Sequence, residues 1–198
     1  MHPIHRLAAC TLAASVLVTT AAASPTEPRP AATDAFLEVA YLWWIADAYP
    51  TDTGERECIA WTNDDLDNSF SVIATTSGGL RIRYDEPIEL NGRPLLSRSD
   101  PVRLVVVGPR EVRFHNVAVE TGVGPDGRRF LTVSGPDREA PAMVRALHTG
   151  RQVRLDRFNR KTGKLEVVTT FNLAGFATGF EKIAEWCGID SALLYHGR

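Results

Sequence analysis

The chain is poor in the residues from which metal and redox sites are built. Its 198 residues contain 3 cysteines, 5 histidines and 2 methionines. Cys10 lies in the N-terminal apolar segment, so two cysteines remain beyond it. No two of the histidines beyond that segment stand at a metal-ligand spacing. We therefore predict that the protein holds no metal and no cofactor.

Lysine is scarce as well, and no strong excess of positive charge is present. The chain carries 3 lysines against 19 arginines, and its formal net charge is −2 at pH 7. Its most basic stretch, residues 145–164, contains Phe158 as the only aromatic residue, so it lacks the interleaved aromatic side chains of a nucleic-acid platform. We therefore expect no nucleic-acid partner.

Residues 1–24 have the layout of a secretory signal peptide. Arg6 precedes an apolar stretch from Leu7 to Val18, and the small residues Ala21–Ala23 follow it. An apolar stretch of about 12 residues is too short to span a bilayer, and no longer one follows. We predict a signal peptide over 1–23, a flexible proline-rich segment over 24–33 and one globular domain over 34–198. The predicted location is the periplasm or the medium, with no membrane span.

The two remaining cysteines predict one disulfide. Cysteines of exported proteins are usually paired, and Cys58 and Cys187 are the pair available here. The bridge would close a loop of about 130 residues and tie the start of the domain to its end. The alternative is two free thiols or a metal site, and no histidine close in sequence supports it.

Most of the chain after Cys58 has the pattern of short strands separated by turns. The predicted strands are Ser69–Thr75, Leu80–Tyr84, Val102–Val107, Glu111–Val119, Arg129–Val133, Val153–Phe158 and Leu165–Phe171. Asn116 shifts the apolar alternation of the fourth strand by one residue, which predicts a bulge there. About seven strands with frequent turns predict a mainly β fold, an antiparallel β-sandwich or a partly open barrel.

Helices are predicted at both ends of this strand-rich region and once within it. The densely apolar segment Asp34–Pro50 favours an N-terminal helix, although its β-branched and aromatic residues leave a buried strand over 39–46 open. A short helix is predicted over Ala140–His148. Apolar residues at three- and four-residue intervals predict a C-terminal amphipathic helix that ends at Gly188 and has Cys187 on its buried face.

Two features are candidates for binding a partner, an envelope or extracellular protein or an anionic envelope polymer. One is a basic hairpin and the other is an aromatic stripe. Their residues are Arg151, Arg154, Arg157, Arg160, Lys161 and Lys164 in the hairpin, and Tyr41, Trp43 and Trp44 in the stripe. In the alternative interpretation, the basic stretch is compensated within the fold by the acidic residues of 34–67, and the aromatic residues belong to the core.

The catalytic motifs are weak. Asp52-Thr53-Gly54 matches the aspartic-protease triplet but lies in a polar turn, and the oxygen-rich segment 63–68 lacks the glycine and the bidentate glutamate of a calcium loop. Asp85, Glu86 and His115 are candidates for a hydrolase site that forms only in the folded chain. Because adjacent strand residues face opposite sides of a sheet, Asp85 and Glu86 cannot form such a site by themselves.

The C-terminal region resembles a known type of exported protein. Leu147, Gly150 and Arg151 are followed by a hairpin, by the run Thr170–Phe176 and by an amphipathic helix that ends in Cys187. This order is similar to the ending of exported proteobacterial proteins of the invasion-associated locus B type and of some periplasmic accessory proteins of secretion systems. The resemblance implies an antiparallel β-sandwich with a terminal helix, and it carries over no catalytic residues.

Taken with the signal peptide, these features favour an exported protein without enzymatic activity that binds an envelope or extracellular partner. The expected partner is a protein. Two alternatives remain open at this stage: an envelope hydrolase whose site forms only in the fold, and an inhibitor of a foreign enzyme.

Overall fold

The fold is given by a computed structural model, which describes residues 37–88, 95–115, 117–123 and 128–194. The predicted signal peptide, the proline-rich segment 24–33 and the bulge at Asn116 lie outside the described residues. Those three features, and the domain boundary at residue 34, therefore stay predictions.

The described residues form eleven strands in two antiparallel sheets. One sheet has the strand order β1-β2-β3-β4-β5-β9-β8 and the other has the order β11-β10-β6-β7. The outermost strands of each sheet do not pair with each other, so neither sheet forms a closed barrel. The strands are β1 Leu37–Tyr41, β2 Trp44–Pro50, β3 Arg56–Asn63, β4 Ser69–Thr75, β5 Leu80–Ile88, β6 Val102–Val107, β7 Val112–Phe114, β8 Ala118–Val123, β9 Arg129–Ser134, β10 Gln152–Asn159 and β11 Lys164–Asn172.

The prediction of an N-terminal helix is wrong, because residues 37–50 form a β-hairpin. Tyr41 pairs with Trp44 across a two-residue turn, and β2 continues the sheet. Trp44, Ala46 and Ala48 are buried, whereas the residues between them are partly exposed. This is the period of two that a half-buried strand requires. Because the residues of the turn are apolar as well, the sequence shows one apolar run in which the alternation of buried and exposed strand residues is hidden.

The prediction of a single strand over Glu111–Val119 is also wrong. β7 pairs with β6 in the four-stranded sheet, whereas β8 pairs with β9 in the seven-stranded sheet. The chain therefore passes from one sheet to the other between Phe114 and Ala118. The apolar alternation shifts by one residue at this crossing, because the side chains before it belong to one sheet and those after it belong to the other.

The two predicted helices of the C-terminal half are confirmed as α1, Ala140–Thr149, and α2, Phe176–Cys187. α2 ends where Gly188 takes a left-handed conformation, with φ 68°, and donates its N–H to the carbonyl of Ala184. This helix packs on β2 and β3 and also contacts β1 and β4. None of the described helices is both long and apolar enough to cross a membrane.

One apolar core receives residues from both sheets and from α2. Phe70 of β4 stacks on Phe171 of β11 at 5.7 Å between ring centroids, and Trp44 meets Phe176 of α2 at 4.9 Å. Tyr84 of β5 also contacts Phe171, at 6.1 Å. These aromatic contacts connect the two sheets and the helix.

The predicted disulfide is confirmed. Cys58 and Cys187 are buried, and their sulfur atoms are 2.07 Å apart. The bridge joins β3 to Cys187, the last residue of α2. Cys187 lies on the buried face of the helix, as the helical spacing predicted. The bridge therefore fixes the end of the helix onto the seven-stranded sheet.

Candidate functional site

The turn between β1 and β2 presents two large apolar side chains to solvent. Leu42 is 84% exposed and Trp43 is 65% exposed. Leu42 has φ 54°, a left-handed conformation that costs an L-residue roughly 1–2 kcal/mol. An exposed apolar residue in such a conformation is unusual, and strained backbone of this kind is concentrated at functional sites.

Residues beneath this turn hold it in place. Trp44 is fully buried, and its Nε1 donates a hydrogen bond to the carbonyl oxygen of Asn172 at 2.9 Å. Gly175, with φ 96°, lies so close that an added Cβ would overlap the carbonyl oxygen of Tyr41. The segment that leads into α2 therefore fixes the position from which Leu42 and Trp43 project.

The predicted aromatic stripe is thus divided by the fold. Trp44 belongs to the core, Tyr41 is half-buried against it, and only Trp43 offers most of its surface to a partner. Leu42 lies within the predicted stripe but was not among its predicted binding residues, and it is the most exposed large apolar residue among those described. The available signal was the position of Leu42-Trp43 between two alternating segments, which indicates a two-residue turn.

The predicted basic hairpin is real, but two of its arginines are compensated within the fold. Arg154 forms an ion pair with the buried carboxylate of Asp156 at 2.7 Å, and Arg103 of β6 contacts the same carboxylate at 2.9 Å. Arg157 pairs with Glu166 at 3.0 Å and also donates to the carbonyl of Leu95. These side chains join strands of one sheet and are engaged within the protein.

The other basic residues of the hairpin remain at the surface. Arg160 donates to the carbonyl of Ser99 at 3.1 Å, whereas Lys161 and Lys164 are exposed and form no ion pair with a described residue. Arg151 lies exposed at the start of β10. The free positive charge of the hairpin is therefore concentrated at its turn.

Three exposed apolar residues accompany this turn, and sequence reasoning missed them. Phe158, Leu165 and Val167 are 38%, 49% and 57% exposed, and Phe158 pairs directly with Leu165. The exposure of Leu165 and Val167 results from a β-bulge in β11, since Leu155 pairs with Thr169 and Asp156 with Val167, which leaves Val168 as an extra residue.

The hydrolase candidates do not share a site. Asp85 accepts a hydrogen bond from Thr132 at 2.7 Å on one face of β5, and Glu86 lies on the opposite face with 3% exposure. His115 is exposed beyond the end of β7. Among the described residues, no hydrogen bond or ion pair joins any two of the three.

Glu86 is instead a buried structural carboxylate. It accepts a hydrogen bond from the backbone N–H of Leu95 and one from the Tyr84 hydroxyl at 3.4 Å. Burial raises the pKa of Glu86 above its ordinary value of 4.5, although the hydrogen bonds and the nearby Arg157 act in the opposite direction. The carboxylate ties β5 to the segment that leads into β6.

This shift predicts a pH-dependent effect of Glu86→Gln. Because the folded state binds the proton more tightly than the unfolded chain, the contribution of Glu86 to stability is fully present below pH 4.5. It is lost as the pH rises through the folded pKa. We expect the Glu86→Gln variant to gain stability relative to the wild type as the pH rises from 4.5 through the folded pKa, measured by urea unfolding at each pH.

Glu166 supplies a control of opposite sign. Hydrogen bonds from Asn159 and Arg157 lower its pKa, so its contribution is present above the ordinary value of 4.5 and is lost as the pH falls through the folded pKa. Glu166→Gln should therefore lose stability relative to the wild type as the pH rises. A stability difference for Glu86→Gln that stays constant with pH would show that its carboxyl is not perturbed.

The oxygen-rich segment 63–68 is an ordinary turn stabilised by Asp64. The carboxylate of Asp64 accepts hydrogen bonds from the backbone of Leu66 and Asn68, from the Asn68 side chain and from the hydroxyl of Thr169 at 2.5 Å. All of these donors belong to the protein, so hydrogen bonds within the fold engage both oxygens of the carboxylate. Within the described ranges no three His, Cys, Asp or Glu side chains are grouped as metal ligands.

No family model matches the chain, and a comparison with curated proteins yields no significant match. Among solved structures, the chain is similar to invasion associated protein B from Bartonella henselae, with a TM-score of 0.48 and 18% sequence identity. The superposition covers 76% of this chain and 97% of that one. That protein is of the type that the C-terminal motif resembles, but a likeness this distant assigns the chain to no family and to no function.

Proposed function

We propose that this chain is an exported protein without enzymatic activity that binds a protein of the cell envelope or the extracellular medium through the β1–β2 turn. The proposal places it in the periplasm or outside the cell, in keeping with the N-terminal segment and the disulfide. It also includes a sandwich arrangement of the two sheets, supported by the contacts of Phe171 with Phe70 and Tyr84.

The observation that carries the proposal is the exposure of Leu42 and Trp43 on a backbone that is held rigidly. Tryptophan is enriched among the residues that dominate binding energy at protein interfaces. A side chain that is already positioned loses little conformational freedom on binding, so more of its contact energy appears as affinity. The strained turn, fixed from beneath by Gly175 and Trp44, supplies such positioning.

The geometry of the turn favours a protein partner with an apolar pocket. Leu42 and Trp43 project together from the end of a hairpin, which suits insertion into a concave surface. The neighbouring turn between β3 and β4 carries the exposed carboxylates of Asp65 and Asp67, so the anionic polymers of an envelope would be repelled from this end of the sheet.

Site-specific photo-crosslinking tests this proposal. A photoreactive residue is placed at position 42 of the full-length chain in its native envelope, and the adducts are identified by mass spectrometry. We expect one protein adduct, and we expect Trp43→Ser to weaken the binding of that purified protein by about 30-fold or more, since hot-spot truncation costs at least about 2 kcal/mol. Calorimetry on the purified pair measures this loss.

Two controls make the result specific. The same photoreactive residue at Thr53, in the exposed turn between β2 and β3 at the other end of the hairpin, should give no adduct with that protein. Arg138→Ser, another exposed position, should leave the affinity unchanged. The proposal fails if position 42 yields no protein adduct, if Thr53 yields the same adduct or if Trp43→Ser binds as tightly as the wild type.

A further inference from the structure

We propose that two copies of this chain associate side by side along the free edge of β11, with the two strands antiparallel. β11 is the last strand of the four-stranded sheet, so one of its edges pairs with no described strand. This interface is separate from the β1–β2 turn and does not depend on the function proposed for that turn.

The first argument concerns which side chains of β11 the bulge turns toward solvent. Thr169 and Phe171 face the core, and an unbroken alternation would turn Leu165 and Val167 the same way. The extra residue Val168 reverses the alternation, so Leu165 and Val167 face solvent. Edge strands usually carry charge that prevents association, whereas this edge presents two apolar side chains.

The second argument is the charge at the two ends of β11. The strand begins at Lys164, directly after the turn that contains Arg160 and Lys161, and these three residues form the basic turn. Near its other end lies the acidic turn between β3 and β4, where Asp65 and Asp67 are exposed on either side of Leu66, itself 65% exposed. The Asp64–Thr169 hydrogen bond holds the acidic turn against β11.

The third argument is that this surface is complementary to itself. It is basic at one end, apolar in the middle and acidic at the other end. A two-fold axis perpendicular to β11 near its middle exchanges the two ends of this surface between the copies. The basic turn of each copy then faces the acidic turn of the other, and the Leu165 and Val167 side chains meet at the centre.

Reversing the charge of each turn separately tests the proposal. One variant carries Lys161→Glu and Lys164→Glu, which makes both ends of the surface acidic. The other carries Asp65→Lys and Asp67→Asn, which removes the acidic end. Asparagine is chosen at 67 because Asp67 has φ 60°, a conformation that asparagine tolerates. Sedimentation velocity at micromolar concentration measures the association.

We expect the wild type to be a dimer and each variant alone to associate at least about tenfold more weakly, because like charges then face each other. An equimolar mixture of the two variants should form dimers, since each acidic turn again faces a basic one. A control with Arg110→Glu and Arg138→Glu, which has the same charge change as the lysine variant at exposed positions outside β11, should dimerise like the wild type.

Three results would overturn the proposal. The first is a wild type that stays monomeric, and the second is a dimer that either charge variant leaves intact. The third is a mixture of the two variants that remains monomeric, because that would show the two turns do not meet. Circular dichroism of each variant confirms that it is folded before the measurement.

Discussion

Replacing both Cys58 and Cys187 with serine is expected to remove several kcal/mol from the free energy of unfolding. The bridge joins residues 129 positions apart, and the chain-entropy model assigns about 5 kcal/mol, as an upper figure, to a loop of this length. Small domains are stable by only about 5–15 kcal/mol in total. We therefore expect a large fall in the denaturant midpoint, measured by urea unfolding under oxidising conditions.

The position of the bridge adds to this expectation. Cys187 is the last residue of α2, and the helix covers β2 and β3 with Phe176, Phe180 and Ile183 fully buried. The bridge therefore adds a covalent link to the apolar packing that holds the end of the helix against the sheet.

An alanine pair at the two cysteine positions separates two causes of instability. Serine adds a buried hydroxyl at each site, whereas alanine adds no polar atom. A loss shared by both pairs belongs to the missing bridge. Unchanged unfolding of both pairs would show that the disulfide contributes nothing to the folded state.

Replacing Gly175 with alanine is expected to destabilise the protein strongly, with a loss of roughly 2–4 kcal/mol from the free energy of unfolding. The backbone there has φ 96°, and an added Cβ would overlap the carbonyl of Tyr41, so either the β1–β2 turn or the start of α2 must move. Thermal and urea unfolding measure the loss. The same change should also weaken the binding that we propose for Trp43, because it displaces the turn.

Gly163 is the matched control. It also has positive φ, at 68°, but a Cβ there would meet no atom within 4 Å. Gly163→Ala should therefore cost only the backbone strain, about 1 kcal/mol. Equal losses at the two positions would contradict the steric role assigned to Gly175.

Local pattern was enough to predict most elements of this fold. The hairpin of β4 and β5 follows from alternating apolar residues around Ser77-Gly78-Gly79, and α2 follows from apolar residues at three- and four-residue intervals before Gly188. The disulfide followed from counting the cysteines of a chain whose N-terminal segment predicts export. The hairpin and the helix depend on residues close in sequence. The disulfide joins the two cysteines that lie beyond the N-terminal segment, so no other pairing was available.

The errors occurred where a local pattern has two solutions. Within Asp34–Pro50 the residues from Val39 to Ala46 are all apolar, so a helix and a hairpin with a short apolar turn match the composition equally well. In Glu111–Val119 the pattern showed an irregularity, but it did not show that the two halves belong to different sheets. Strand pairing connects residues far apart in sequence, and the alternation of one segment does not identify its partner.

The candidate site was less predictable than the fold. The sequence indicated Tyr41, Trp43 and Trp44 as a group, yet Trp44 lies on the buried face of β2 whereas Trp43 lies in the exposed β1–β2 turn. Likewise it grouped six basic residues, but Asp156 and Glu166 engage Arg154 and Arg157. Whether an individual side chain is buried depends on the element that packs over it. Local composition does not identify that element.

The positions of most strands, turns and the two helices and the pairing of the cysteines follow from the amino-acid sequence alone, because short-range periodicity, turn residues and a single available pairing specify them. Which side chains of those elements are exposed to water depends on the folded chain as a whole. A one-residue bulge at Val168 turns Leu165 and Val167 outward, and a close contact at Gly175 holds Leu42 and Trp43 at the surface. Both outcomes depend on contacts between distant segments, whose energies exceed the preferences of any one segment.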